Sequence, residues 1–304
     1  MNEPDSRRYL RYVVAGVTAA DTIVLAFEAH HKAAEVARPG EHSLERLIAS
    51  TPCLLVLAAA SLAGLASFAR RRSPLAAGLV ALAALAVLEH TKATFTFAGH
   101  SRIFFAGGAA LAGWLFGLAF ARQIRRDGDP AFAEAGAIAG LAATYVDAGL
   151  SKVLDAGLVW ADANSVRIAV LVNHPVDDPS VLGAYARFLV ENGTAAHALS
   201  IVTLVIELGA FVYLFGPRAR VVWGTLLIAF HVNVALVAQN IFYVQATILL
   251  VAFSYPWAGR EQPTAAPPAP ELTRAAATRM GAWVGATVAV AWLARAAGAF
   301  GSSP

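Results

Sequence analysis

Charge is what this sequence has least of. Asp, Glu, Lys and Arg make up 14% of its 304 residues, against roughly 25% in an ordinary soluble domain. So few charges cannot coat a water-facing surface of this size. Cysteine is nearly absent. The single Cys53 excludes an internal disulfide and a paired-thiol relay. There is no zinc-type ligand spacing, no phosphate-cradling glycine loop and no internal repeat. The net charge is only +3, and the basic residues sit in short clusters between apolar stretches. That pattern marks membrane topology and gives no footprint for nucleic acid.

Apolar residues are what is plentiful, at 58% with a mean hydropathy of +0.60. A helix needs about 20 mostly apolar residues to cross the hydrocarbon core. Eight stretches qualify: 10–30, 50–69, 74–92, 103–121, 131–156, 197–216, 219–238 and 280–298. A ninth run, 241–254, is short for a span and follows the polar break Gln239-Asn240. The expected fold class is therefore all-α, a polytopic transmembrane bundle of eight to nine spans. Residues 1–258 form the bundle and 259–279 a proline-rich cytoplasmic linker. Residues 280–304 add a C-terminal helix. The first helix has no small-residue cleavage signature and is read as retained.

Lys and Arg favour the cytoplasmic side. With the N-terminus inside and 241–254 returning to the cytoplasm, the clusters Arg7/Arg8/Arg11, Arg70-Arg71-Arg72 and Arg122/Arg125/Arg126 all fall inside. The segment 160–196 then forms an outer loop with two amphipathic stretches suited to short interfacial helices.

Ionisable groups are expensive inside a membrane helix and point to function. Glu28, His30, His31, Lys32, Glu89, His90, Lys92, Asp147, Lys152, Asp155 and His197 lie toward outer helix ends, and Asp21, Glu207 and His231 lie deeper. Plain explanations compete. Glu28–Lys32 and Glu89–Lys92 are spaced to pair on one helix. His30, His31, His42 and His100 suit solvated positions, and Asp21 suits a tie to Thr18 or to a neighbouring helix. A metal or haem site from His90, His100, His174 and His197 has no ligand spacing on any one helix, so no metal site is expected.

The densest pattern is Tyr145-Val-Asp147-Ala-Gly149-Leu-Ser151-Lys152, followed by Asp155. Tyr145, Gly149 and Lys152 share one helix face. Gly149 leaves room beside the lysine for a ligand or another backbone. A desolvated lysine sheds its proton readily and can serve as a general base. Held by Asp155, it would instead be a structural ion pair. Both readings stay open at this point.

The run Tyr145–Lys152, continuing through Leu154-Asp155-Ala156-Gly157-Leu158-Val159-Trp160-Ala161-Asp162, resembles the bacterial horizontally transferred transmembrane domain family. That family is related to the membrane part of vitamin K-dependent γ-carboxylase. Phe230-His231, Ile241-Phe242 and Ala252-Phe253-Ser254-Tyr255-Pro256-Trp257 add to the resemblance, as does Glu207 in TLVIELGAF. It covers about 130–258 by motif and 1–129 by hydropathy. It implies a bacterial inner-membrane protein with an outward-facing cavity, a reduced quinone as cofactor and Lys152 as the base. In the carboxylase, oxygenation of the quinol yields a strong base that removes a γ-proton from peptide glutamate, and carbon dioxide adds. Tyr145, Gly149, Trp160, Glu207 and His231 are the expected substrate-binding positions. The carboxylase's large peptide-holding domain has no counterpart here. The resemblance therefore implies a separate substrate-presenting protein beside membrane lipid and quinol as partners. A non-enzymatic membrane scaffold or accessory subunit is the competing expectation.

Overall fold

The computed structural model describes residues 5–35, 47–70, 74–94, 106–123, 130–173, 178–238 and 244–255. The proline-rich segment, the last candidate span 280–298, and His42, His100, His174, Phe242 and Trp257 lie outside them. Among the described residues the chain is helical with no strand. The long helices are α1 (Asp5–Glu35), α2 (Thr51–Ala69), α3 (Pro74–Thr94), α4 (Ala106–Gln123) and α5 (Pro130–Ala156). They are followed by α6 (Ala163–Asn173), α7 (Val181–Glu191), α8 (Gly193–Leu208), α9 (Pro217–Ala238) and α10 (Val244–Ser254). Short 3-10 turns at Gly157–Ala161 and Gly209–Leu214 follow α5 and α8.

Among the described residues, six stretches are long and apolar enough to cross a membrane: Arg8–His31, Thr51–Ala69, Pro74–Thr91, Ala131–Leu154, Gly193–Leu214 and Pro217–Leu236. Their outward faces are as apolar as their inward ones. Leu55 and Val56 of α2 are 65% and 68% exposed, and Phe27 of α1 is 71% exposed. In water, helices with such outward faces would need a partner over them. Hydrocarbon covers them without one. The chain is thus an all-helical integral membrane protein.

Helix α4 matches the expected span 103–121 in place but is not among those six. Glycine-rich and ending in Arg122-Gln123, it has the composition of a packing helix. Ala109, Ala110, Leu111, Trp114, Leu115 and Phe120 are all buried. The 11 residues of α10 reach about 16 Å at the helical rise. That is roughly half the hydrocarbon thickness, as its short sequence run suggested.

Lipid tails are as apolar as the helices, so bundle packing relies on close van der Waals contact between small residues. The α4–α5 seam shows this directly. Gly113 and Gly117 on α4 are four apart, as are Gly136 and Gly140 on α5. A Cβ on Gly113 or Gly117 would land on the α5 backbone carbonyls of Gly136 or Phe132. A Cβ on Gly136 or Gly140 would land on the α4 carbonyls of Gly113 or Ala109. The two backbones touch, and neither can yield as a flexible side chain would. On its other side α4 presents Trp114 edge-on to Phe68 of α2, with ring centroids 5.9 Å apart. Leu10 and Val14 of α1 and Leu249, Leu250 and Phe253 of α10 complete this core.

The segment 160–196 contains the two expected helices, α6 and α7. They do not splay apart. Val166 and Val170 of α6, Ala186 and Leu189 of α7 and Ala196 of α8 form a small core of their own. Side chains start these helices: Ser180 Oγ accepts from the Gly183 N–H at 3.1 Å and Asn192 Oδ1 from the Ala195 N–H at 3.0 Å, as N-caps do.

Gly136→Ala should force the α4–α5 seam open and cost about 1–3 kcal/mol, the usual penalty for overpacking. Gly16→Ala is the control, because nothing lies within 4 Å of its added methyl. It should be neutral or slightly stabilising, since alanine is the better helix former. Denaturation of both variants in detergent micelles checks this, and equal stabilities would remove the seam from the account.

Candidate functional site

Helix α5 carries Tyr145, Gly149 and Lys152 on one face, and the structure turns that face toward α8 and α9. Seven residues separate Tyr145 from Lys152, about 10 Å along the helix axis. Two polar contacts therefore form at two levels of one helix face.

At the level nearer the C-terminal end of α5, Lys152 Nζ donates to both carboxylate oxygens of Glu207, at 2.6 and 2.7 Å. The lysine side chain is 24% exposed and the glutamate 4%. Glu207 is thus the more deeply buried partner, and part of the lysine side chain is exposed. The sequence reading offered Asp155 as the neighbour that holds the lysine. The partner found is Glu207, from another helix. The Asp155 side chain lies outside the described residues.

The aromatic partner of Lys152 comes from a local device. Gly157 ends α5 with φ of +62°, a left-handed conformation that suits glycine and strains side-chain-bearing residues. The 3-10 turn that follows folds the chain back, so that Trp160 lies beneath the amine with Nζ 5.0 Å from its ring centroid. An ammonium over an indole face is a favourable cation–π arrangement. Asp162 then accepts from the Ala163 N–H at 2.7 Å and opens α6.

At the deeper level, the Tyr145 hydroxyl meets His231 Nε2 of α9 within hydrogen-bonding distance. Their rings lie 5.5 Å apart and both residues are buried. Helix α7 also reaches α9 near this contact. Tyr185 of α7 donates to Asn233 Oδ1 of α9 at 2.7 Å, two residues beyond His231.

Gly149 sits between the two levels. A Cβ there would lie 3.0 Å from the Leu208 side chain and 3.1 Å from Glu207 Cβ. The room that glycine leaves is taken by α8, so it sets how closely Glu207 approaches Lys152. All six expected site positions, Tyr145, Gly149, Lys152, Trp160, Glu207 and His231, are thus brought into one stack of contacts.

A seventh residue, Trp223, escaped the sequence reading. Its Nε1 donates to the Ile206 carbonyl at 3.2 Å, where α8 gives way to a 3-10 turn and carbonyls lose helical partners. Its ring packs on Gly209. Trp223 thereby braces the turn that holds Glu207. Nothing in RVVWGT distinguishes it from an interfacial tryptophan. His30 and His31 are exposed, with Thr51 at 3.4 Å from one and Phe27 stacked on the other. Among the described residues, no group of three or more His, Cys, Asp or Glu side chains could hold a metal ion.

Chemically, the Lys152 level is a close ion pair whose lysine side chain is partly exposed. Its amine lies over an aromatic ring, and its carboxylate is buried. No family model matches the chain, and neither a curated protein nor a solved structure matches it.

Removing one member of a buried ion pair strands the other and costs about 3–5 kcal/mol. Lys152→Ala should approach that figure, because Glu207 is left sealed in. Glu207→Ala should cost less, because the freed lysine can extend along its stem toward the polar interface. Lys152→Met combined with Glu207→Leu should regain most of the loss. Unfolding midpoints of the three variants test the order, and a double variant worse than either single one would contradict it.

Proposed function

We propose that this protein belongs with the horizontally transferred transmembrane domain proteins and binds a quinol-class ligand between α5, α8 and α9. The observation that carries the proposal is the convergence of Tyr145, Gly149, Lys152 and Trp160 with Glu207 and His231. In this reading the protein lies in a bacterial inner membrane with its N-terminus cytoplasmic and eight to nine spans, and its cavity opens outward. A reduced quinone enters from the lipid and its ring lies against the apolar and aromatic lining, as flat apolar ligands do.

Lys152 is the base toward the quinol hydroxyl. The ion pair explains how a lysine held by a carboxylate takes up that role. In an apolar surrounding, separated charges lose much of their advantage over the neutral amine and neutral acid. Glu207 takes the extra proton from Lys152, and the neutral amine then accepts one from the quinol. Tyr145 and His231 form a second hydrogen-bonding level for the far end of the ligand. Chemistry on a peptide glutamate requires a separate protein to present it, since the outer segment is occupied with its own small core.

A second reading has a specific observation behind it. The lysine is held by both glutamate oxygens, and Gly149 is filled by α8. An arrangement this closed also serves a scaffold, in which the pair only ties α5 to α8.

One set of measurements separates the readings. Purified protein is extracted and its lipids are examined by mass spectrometry for a co-purified quinone. Oxygen uptake is then followed with a reduced naphthoquinone. Lys152→Met/Glu207→Gln keeps the pair neutral and the fold intact. It should abolish uptake at least tenfold while its unfolding midpoint stays near that of the parent. Uptake unchanged in this variant removes Lys152 as the base. Absence of both quinone and uptake in the parent protein leaves the scaffold.

A further inference from the structure

Away from this site, α1 buries a second carboxylate that the proposed chemistry does not use. Asp21 is fully buried in the middle of the span Arg8–His31. Its Oδ2 accepts from the Gly107 N–H at 2.9 Å, and the Gly108 N–H also bears on it. These are the second and third residues of α4, so Asp21 caps that helix from a neighbouring one. The fit admits no side chain: a Cβ on Gly107 would lie 2.5 Å from Oδ2 and 2.7 Å from the Thr18 nitrogen. The other oxygen, Oδ1, is buried with no hydrogen-bond partner. The hydroxyls nearby in sequence are committed elsewhere. Thr18 donates to the Val14 carbonyl at 2.7 Å, and Thr22 bonds to Ser61 Oγ of α2 at 2.9 Å.

We infer that Asp21 is a proton-binding site of the bundle, with Oδ1 as the atom that gains and loses the proton. The geometry supports both states. Protonation of Oδ1 removes the charge and leaves Oδ2 as a carbonyl that still accepts from Gly107. Loss of the proton leaves an anion at a helix N-terminus, where the free amides favour negative charge. Against that stand the dry surroundings and the carboxylate of Glu89 on α3, the one charged group that acts on it among the described residues. Helices α2, α4, α5 and α10, which also pack on α1, bring no charged side chain to it among the described residues. The ligand is thus a proton, held where α1, α3 and α4 meet. Its exchange changes the charge at the point that fixes α4 to α1.

Infrared difference spectra of the full chain in lipid, between acid and alkaline pH, test the inference. The protein carries isotope-labelled aspartate carboxyls. The expected signature is a protonated-carboxyl C=O band that shifts with the label, grows as pH falls and resists deuterium exchange. Asp21→Asn should lose it while keeping an oxygen for Gly107. Asp21 is the one buried aspartate among the described residues. Slow exchange in the unsubstituted protein therefore assigns the band even if that variant fails to fold. Absence of a label-sensitive, slowly exchanging band overturns the inference, as does a band constant across the pH range. Survival of the band in folded Asp21→Asn overturns it too.

Discussion

The ion pair between Lys152 and Glu207 sets the terms for the rest of the bundle. Two opposite charges in a membrane interior are tolerable only together and only at close range. Their helices must therefore meet closely at that level, and Gly149 permits it by letting α8 lie against α5. The pair also needs its carboxylate held still. That falls to Trp223, which bonds the Ile206 carbonyl where α8 loosens into a 3-10 turn. Trp160 lies over another side of the amine, placed there by the left-handed turn at Gly157. A geometry with a catalytic reading is thus also one that helix packing and electrostatics require.

The same economy of small residues and paired polar groups governs the other half of the molecule. Where α4 meets α5, the contact is backbone on backbone through four glycines. Where α4 meets α1, Gly107 again allows close approach, and a carboxylate takes the amides at the start of the helix. In lipid no water satisfies such amides, so another helix does so. Gly107 and Gly149 therefore play parallel parts: each removes a side chain so that an acid from a neighbouring helix can reach its partner.

The comparison of ion pair and scaffold turns on exposure. Glu207 is sealed in, while the Lys152 side chain stays partly exposed. In the proposed reading, a base for a lipid-borne ligand uses that exposure. This asymmetry is the physical reason for preferring the quinol reading, and it is also what makes the two single substitutions unequal in cost.

Composition and hydropathy sufficed for the all-helical membrane class, because scarcity of charge and long apolar runs depend on no neighbour. The face shared by Tyr145, Gly149 and Lys152 was legible for a similar reason, since helical periodicity is local. Glu207 and His231 stood out because ionisable groups in mid-span are costly wherever they point. Partnership was not legible. Asp155 was the nearest acid in sequence, yet the lysine found Glu207, 55 residues away. Whether Gly149 made room for a ligand or for a helix, and whether Asp21 turned to Thr18 or to another helix, depended on which surfaces the bundle brings together. Trp223 and Gly107 carry no local mark at all. Their roles exist only once a carbonyl on α8 and a carboxylate on α1 arrive beside them, and that is decided by how the helices pack.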